Sequence, residues 1–342
     1  MRAGRTGSGQ PVGQMIPTGG PFGSGEWHDA PEPSFSHEAL FYSDPGSQLD
    51  AVARFVRAGL IQEDKVLVML SSPKAEALRR SLGASSDSVL FVAAEGEDKN
   101  PARLIPAWRS FADSLEPGQC GRGVCEPVDS AMSNPVLVES QIHESLLNVA
   151  FSEYSSFWLL CTYDESLGAS ILDQARTSHQ YVATSSTATH LNTRFEKSDD
   201  PGRHRPESAW DAPGDAESFD VDINSVGTAR RAMYEFAHDF GMSESAASDC
   251  ALAGHEVISN SLMHGGGEAR LSMWSRAETL ICQITDSGRF DEPLAGRVRP
   301  GERGRTGRGL WIANQLCDLV QIRSTSRGTL VRLHMHRNCQ AF

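Results

Sequence analysis

Short apolar runs alternate with amphipathic stretches from His37 onward. His37–Tyr42, Val66–Leu70, Val89–Ala93, Gly121–Cys125 and Phe157–Tyr163 read as buried strands. Between them, Gln48–Leu60 gathers Leu49, Val52, Phe55, Val56 and Leu60 on one helical side, and Lys74–Leu82 is a second helix. Asn100-Pro101 and Asn134-Pro135 each open a further helix, pairing a side chain that can cap with a proline in the first turn. Strands alternating with helices predict a parallel sheet covered on both faces, a three-layer α/β domain over residues 35–182. Residues 183–217 turn polar, and Asp199-Asp200-Pro201-Gly202 and Ala212-Pro213-Gly214-Asp215 mark a linker.

The pattern resumes over residues 218–337. A strand at Phe219–Ile223 precedes helices at Val226–Asp239 and, capped by Ser243, up to His264. Strands follow at Ala269–Trp274 and Leu280–Thr285, then a helix at Gly309–Cys317 and strands at Leu319–Arg323 and Thr329–His334. This predicts a two-layer α/β sandwich with a mixed sheet and helices on one face. Residues 1–34, crowded with Gly and Pro, read as a disordered tail, and 338–342 as a short second one.

Of the 342 residues, 39% are hydrophobic and 22% charged, as expected of a globular protein with two cores. The net charge of −13 argues against nucleic acid or an anionic membrane surface as partner. No run of eighteen apolar residues occurs, so no membrane span is expected. Seven cysteines without a C-x-x-C pair fit unpaired thiols in a reducing cytoplasm, and the start Met1-Arg2-Ala3-Gly4-Arg5 lacks the apolar run of a signal peptide.

The candidate chemistry is concentrated in the second domain. On the helix ending at His264, residues Glu256, Asn260 and His264 stand four apart, each step about 40° past a full turn, so they share one polar strip. Downstream, Ile284-Thr285-Asp286-Ser287-Gly288 holds a carboxylate at a strand end, with a glycine that would let a flat ligand approach the backbone. Gly304-Arg305-Thr306-Gly307-Arg308-Gly309-Leu310 puts glycines immediately before a helix, where exposed N–H groups attract anions. Gly328-Thr329 offers a hydroxyl at a strand start. Between Arg289 and Arg308, six Arg face three acidic residues, a local +3 in an acidic chain. Each piece alone has a plain alternative: a solvated helix face, an ordinary turn, or, for His264, a histidine at a helix C-terminus. His334-x-His336 reads as a pair of exposed strand histidines rather than a metal site.

In this order, Glu-x-x-x-Asn, Asp-x-Gly and Gly-x-Gly-Leu resemble the ATP site of the GHKL, or Bergerat-fold, ATPases. The wording of His264-Gly265-Gly266-Gly267 and of Gly309 to Val320 is most similar to the anti-sigma-factor serine/threonine kinases. The resemblance implies ATP and Mg²⁺ as cofactors. It implies Asn260 as Mg²⁺ ligand, Asp286 as partner of the adenine amino group, and Gly288 against the ring. Gly307 and Gly309 would wrap the phosphates with Thr329 nearby, while His264, Arg308 and Leu310 complete the cofactor site. Glu256 would be the catalytic base toward a protein serine, or would orient a water. The implied partners are a sigma factor and a STAS-type anti-sigma-factor antagonist, with pairing of two copies a family habit.

The first domain resembles the MEDS sensory domain, a RecA-like module, on His37–Tyr42, Asn100–Trp108, Gly123–Pro127, Glu139 through His143-Glu144 to Asn148, and Cys161–Asp164. This implies an unknown small-molecule ligand. The first βα loop, Ser71-Ser72-Pro73-Lys74, lacks the phosphate-binding P-loop pattern. His37, Glu126, Glu139, His143 and Glu144 could line a polar sensory pocket near the strand carboxyl ends, or could be a hydrogen-bonded helix surface. His143-Glu144 is similar to a histidine-kinase phosphoacceptor box, but the following proline and the two-helix hairpin are missing. The expectation is a cytoplasmic, sensor-regulated serine/threonine kinase. The alternatives are a nucleotide-loaded regulator that only binds, or a divergent histidine kinase.

Overall fold

A computed structural model describes residues 35–94, 100–184, 187–197, 211–301, 307–325 and 327–337. The expected tails 1–34 and 338–342, part of the linker, and Gly304, Arg305 and Thr306 of the glycine-rich loop lie outside the described residues.

The first unit is a seven-stranded sheet in the order β3-β2-β4-β5-β1-β6-β7, with its members at Ser36–Tyr42 (β1), Lys65–Leu70 (β2), Val89–Ala93 (β3), Gly121–Cys125 (β4), Phe157–Asp164 (β5), Tyr181–Thr184 (β6) and Thr187–Leu191 (β7). The six strands from β3 to β6 run parallel, and β7 closes the edge antiparallel to β6. Alternation along β2 sorts the two cores. Val66, Val68 and Leu70 meet Phe55, Val56 and Leu78 of helices α1 (Pro45–Ile61) and α2 (Ser72–Leu82). Leu67 and Met69 meet Trp108, Leu146 and Leu172 of helices α3 (Leu104–Ala112), α4 (Asn134–Ala150) and α5 (Ala169–Ser178) on the other face. The three layers are as expected, but strands β6 and β7 carry the sheet to Leu191, past residue 182. Asn100 caps as expected, accepting from the Ala102 N–H at 3.0 Å, whereas α4 takes Ser133 as its cap residue and Asn134 is already helical.

The second unit comprises β8 (Glu217–Val221), α6 (Val226–Asp239), α7 (Glu244–His264), β9 (Ala269–Arg276), β10 (Thr279–Asp286), α8 (Arg308–Leu316), β11 (Leu319–Thr325) and β12 (Gly328–His336). Its sheet order is β11-β12-β10-β9-β8, and every neighbouring pair is antiparallel. The sheet is therefore not mixed. Two helices between β8 and β9 return the chain to the end where it left, so β9 runs back along β8. The single-helix crossover from β10 to β11 keeps one direction, but β12 is inserted between them. Helices α6, α7 and α8 cover one face around Met233, Val257, Leu271, Ile284 and Leu333.

The two units meet at helix α8, strand β11 and the loop after β10. The Arg103 guanidinium donates to the carbonyls of Asn314, Gln315 and Cys317, each at 2.8 Å, closing the C-terminus of α8 from the other unit. Leu294 and Val298 pack against the first unit's core.

A candidate nucleotide site and a buried polar cluster

Helix α7 is capped by Ser243, whose hydroxyl accepts from the Ala246 N–H at 3.2 Å, and its core face holds Cys250, Val257 and Ile258. That rotation presents Glu256 and Asn260 to the N-terminus of α8. A Cβ placed on Gly309 would lie 2.9 Å from Asn260 Nδ2 and 3.0 Å from Glu256 Oε2, so only glycine leaves this gap. Gly307, at φ +82°, is the cap residue of α8 and supplies no side-chain cap. The first N–H groups of α8 are thus left for an anion beside a carboxylate and an amide. Among the described residues neither Glu256 nor Asn260 has a side-chain hydrogen bond. Leu310, expected at the cofactor, packs its side chain into the core and anchors α8. Arg308 is exposed at the helix start.

At the far end of α7, Asp286 Oδ1 accepts from the Gly288 N–H at 2.8 Å, which fixes the carboxylate and leaves Oδ2 without a partner among the described residues. Packing alone requires a glycine at 288: its Cβ would lie 2.6 Å from Gly265 Cα and 2.8 Å from the His264 carbonyl. Thr329 stands opposite Asp286 in the β10–β12 register and donates to the Gly288 carbonyl at 3.0 Å. It belongs to the Asp286 end, not to the expected phosphate end. His264 closes α7 with its side chain exposed.

The five residues expected to form one sensory pocket separate into three places. Glu126 pairs with Lys74 Nζ at 2.5 Å and accepts from Tyr42 Oη at 2.6 Å, at the carboxyl ends of the strands. Glu139 faces the second unit, accepting from Arg297 at 3.2 Å, from Gln321 at 3.3 Å and from Arg323. His37 and Glu144 do meet, with His143 adjacent on α4, and they are joined by Cys161 and His179. His143 is buried, and that burial lowers its pKa to about 3, so it is not an accessible phosphoacceptor. Cys161 lay in a stretch already singled out, but its side of β5 is set by the register. His179 follows α5, a helix the hydrophobic pattern does not announce.

Residues 36–180 match the family model described as MEDS, the MEthanogen/methylotroph, DcmR Sensory domain, and residues 219–335 match the histidine kinase-like ATPase domain. The chain joins a MEDS domain to a GHKL-type ATPase domain. No curated protein matches it. Among solved structures, the RsbU and RsbW domains of Rv1364c from Mycobacterium tuberculosis align at 20% identity over 36% of this chain and 33% of that one, with a TM-score of 0.27. An Acinetobacter baumannii histidine kinase, AdeS, aligns at 12% identity over 60% of this chain and 96% of that one, with a TM-score of 0.21. The chain thus spans about a third of the Rv1364c structure.

A GHKL-type ATPase domain implies nucleotide binding, typically with Mg²⁺. The residues fit: an amide oxygen on Asn260 is a hard ligand, and the Gly309 gap lies beside it. The described part of the loop, residues 287–301, is partly claimed by the MEDS domain. Arg297 is buried against Glu139, so it is unavailable to a phosphate, and Arg289 pairs with Asp291 at 2.8 Å. Arg303 and Arg305 lie outside the described residues. A cleft of 480 Å³ between this loop and Val149 of the MEDS domain borders the candidate nucleotide site at Gly307. His334 is buried, not exposed, with Nε2 2.9 Å from Gln321 Oε1, and His336 Nδ1 lies 3.0 Å from Thr279 Oγ1. No helix among the described residues is long and apolar enough to cross a membrane.

Proposed function

We propose that this protein is an ATP-dependent serine/threonine kinase of the anti-sigma-factor type, acting on a STAS-type antagonist, holding a sigma factor, and tuned by its MEDS domain. The observation that carries the reading is the meeting of Glu256 and Asn260 with the glycine gap at the N-terminus of α8. The helix N–H groups hold the terminal phosphates, and Asp286 Oδ2 accepts from the adenine amino group. Asn260 would hold Mg²⁺, which when bound would supply charge neutralisation across the phosphates. Glu256 takes the proton of a serine hydroxyl as that oxygen bonds to the γ-phosphorus and the bond to ADP breaks. Burial of His143 favours an acceptor on a separate protein over self-phosphorylation on that histidine.

One observation favours a binding-only state. Arg297 of the loop beside the site is held by Glu139 of the MEDS domain, so a small molecule acting there would decide when the loop can close. Incubating the full chain with ATP, Mg²⁺ and purified STAS proteins, followed by intact-mass measurement, separates the readings. A gain of one phosphate on a STAS serine supports the kinase. Tight ATP binding with no transfer to any STAS protein leaves the binding-only regulator, and acid-labile phosphate on the chain itself would point to a histidine kinase. Sedimentation of the same preparation tests pairing of two copies.

A further inference from the structure

In the MEDS domain, far in sequence from the nucleotide site, four potential metal ligands converge from four elements. They are His37 on β1, Glu144 on α4, Cys161 on β5 and His179 just after α5, all buried. His37 Nε2 lies 3.3 Å from Cys161 Sγ and 3.6 Å from Glu144 Oε2, and His179 Nε2 lies 3.2 Å from Glu144 Oε2. The four donor atoms are all within 4.8 Å of one another. Tetrahedral zinc, with bonds of roughly 2.0–2.3 Å, sets its ligand atoms about 3.3–3.8 Å apart. Two of these separations, 3.3 and 3.6 Å, fall within those edges, and the third, 3.2 Å, is just below them.

The surroundings fix which atoms face inward. Asn148 Nδ2 donates to the Ser178 carbonyl at 2.7 Å, which turns Oδ1 toward His37 Nδ1 at 3.3 Å, so His37 carries its proton on Nδ1. His179 Nδ1 lies 2.7 Å from the Ala175 carbonyl, which can only accept, so that nitrogen too is the protonated one. Both imidazoles therefore turn Nε2 into the cluster, His37 toward Cys161 Sγ and His179 toward Glu144 Oε2. His179 Nε2 has no hydrogen-bond donor, and it confronts a carboxylate oxygen. Two buried acceptors face each other, an arrangement that calls for a cation between them. The remaining ligands also have outer partners: Tyr163 donates to Glu144 Oε2 at 2.8 Å, and Cys125 Sγ lies 3.4 Å from Cys161 Sγ. Imidazoles oriented by carbonyls, with hydrogen-bonded carboxylate and sulfur, are how proteins build metal shells. A metal bound here would take Cys161 as the thiolate, its proton being released on binding. A divalent ion with one thiolate and one carboxylate is then neutral, which suits a site without water.

We propose that His37, Glu144, Cys161 and His179 bind one divalent transition metal of the zinc type inside the MEDS domain. The mix of two nitrogens, one sulfur and one oxygen suits zinc and its tetrahedral substitutes, not Mg²⁺ or Ca²⁺. A cavity of about 10 Å³ bordered by Glu144, Tyr163, Gln174 and Ser178 adjoins it, room for about one water. Helix α4 carries Glu144 at this site and Glu139 at the ATPase domain, so a change in coordination has a rigid route to Arg297.

The test uses the full chain, prepared without an affinity tag, stripped with chelator and titrated with Co²⁺ alone. The expected result is one Co²⁺ per chain, with the strong visible bands of tetrahedral cobalt and a near-ultraviolet thiolate charge-transfer band, all removed by adding Zn²⁺. Cys161→Ser should lose the charge-transfer band, His179→Gln should weaken binding at least tenfold, and Cys120→Ser, at an exposed thiol, should change nothing. A charge-transfer band that survives Cys161→Ser overturns the proposal. If the variants do not fold, the unmodified chain still decides. Failure to bind either Co²⁺ or Zn²⁺ would leave the cluster as a protonated His179 paired with Glu144, and the metal site would be refuted.

Discussion

Asn260 and Glu256 occupy adjacent turns of one helix, yet their substitutions should fail differently. Asn260→Ala removes the hard oxygen beside the Gly309 gap. Losing a contact to a charged group, worth about 3 kcal/mol, should weaken Mg·ATP binding roughly a hundredfold by calorimetry. Unchanged affinity would dismiss Asn260 as the metal ligand. Glu256→Gln keeps the shape and loses the base, so ATP affinity should hold while phosphate transfer to a STAS protein falls about 10²–10⁴-fold. This pair was legible in the sequence because helical spacing alone puts four-apart residues on one strip. What spacing cannot supply is the partner. Leu310 faces the core, Gly288 packs on Gly265, and Glu139 meets arginines some 160 to 180 positions away in the chain. Cys161 and His179 escaped for the same reason: strand register and a helix C-terminus bring them together, and no local pattern records either.

At the scale of elements, helix α8 connects the two halves of the molecule. Its N-terminus leaves N–H groups where the proposed phosphates would sit, and its C-terminal carbonyls are closed by Arg103 from the MEDS domain. Asn314 adds a second link, donating to the Gly296 carbonyl at 3.0 Å and accepting from Asn100 at 2.8 Å. Arg103→Ala leaves three carbonyls without this donor, at a cost of about 1–3 kcal/mol. The melting temperature should fall and ATP affinity should weaken severalfold, although Arg103 lies outside the ATPase domain. Arg103→Lys, with one ammonium in place of the fork, should recover only part of the loss. An alanine variant that melts and binds like the parent would show that α8 is held by its own domain. Most elements could be read from hydrophobic period, since buried parallel strands and amphipathic helices write it plainly. The β6–β7 edge could not, because Tyr-Val-Ala-Thr and Thr-Ala-Thr-His-Leu are too short to set up a clear apolar period. The antiparallel second sheet depended on β12 slotting between β10 and β11, a neighbour order that strand patterns do not contain.

Across the whole molecule, the domains are joined by a buried polar chain rather than by apolar contact alone. His334 Nε2 donates to Gln321 Oε1, Gln321 Nε2 donates to Glu139, and Arg297 and Arg323 complete the carboxylate's shell. Removing one partner of such a buried set costs about 3–5 kcal/mol because it leaves charge unpaired. Glu139→Ala should therefore loosen the interface and free Arg297, read as faster hydrogen exchange across residues 290–300. Exchange that stays as slow as in the parent would show the loop is held by other means. Acid should reach the same chain through His334. Burial, then the charges of Arg332 and His336, depress its pKa to about 3, against 6.5 when exposed. Below pH 6.5 the unfolded chain takes up a proton that the folded chain refuses. The histidine's contribution is thus complete above about pH 6.5 and is lost as pH falls toward 3, at up to about 1.4 kcal/mol per pH unit. Between pH 6.5 and 5 that amounts to about 2 kcal/mol. His334→Gln keeps a donor for Gln321 and cannot titrate. The gap between parent and variant in urea unfolding should accordingly narrow, or reverse, on going from pH 7 to pH 5. A gap that stays constant would mean that His334 is protonated in the folded protein, and that the link to Glu139 carries a positive charge.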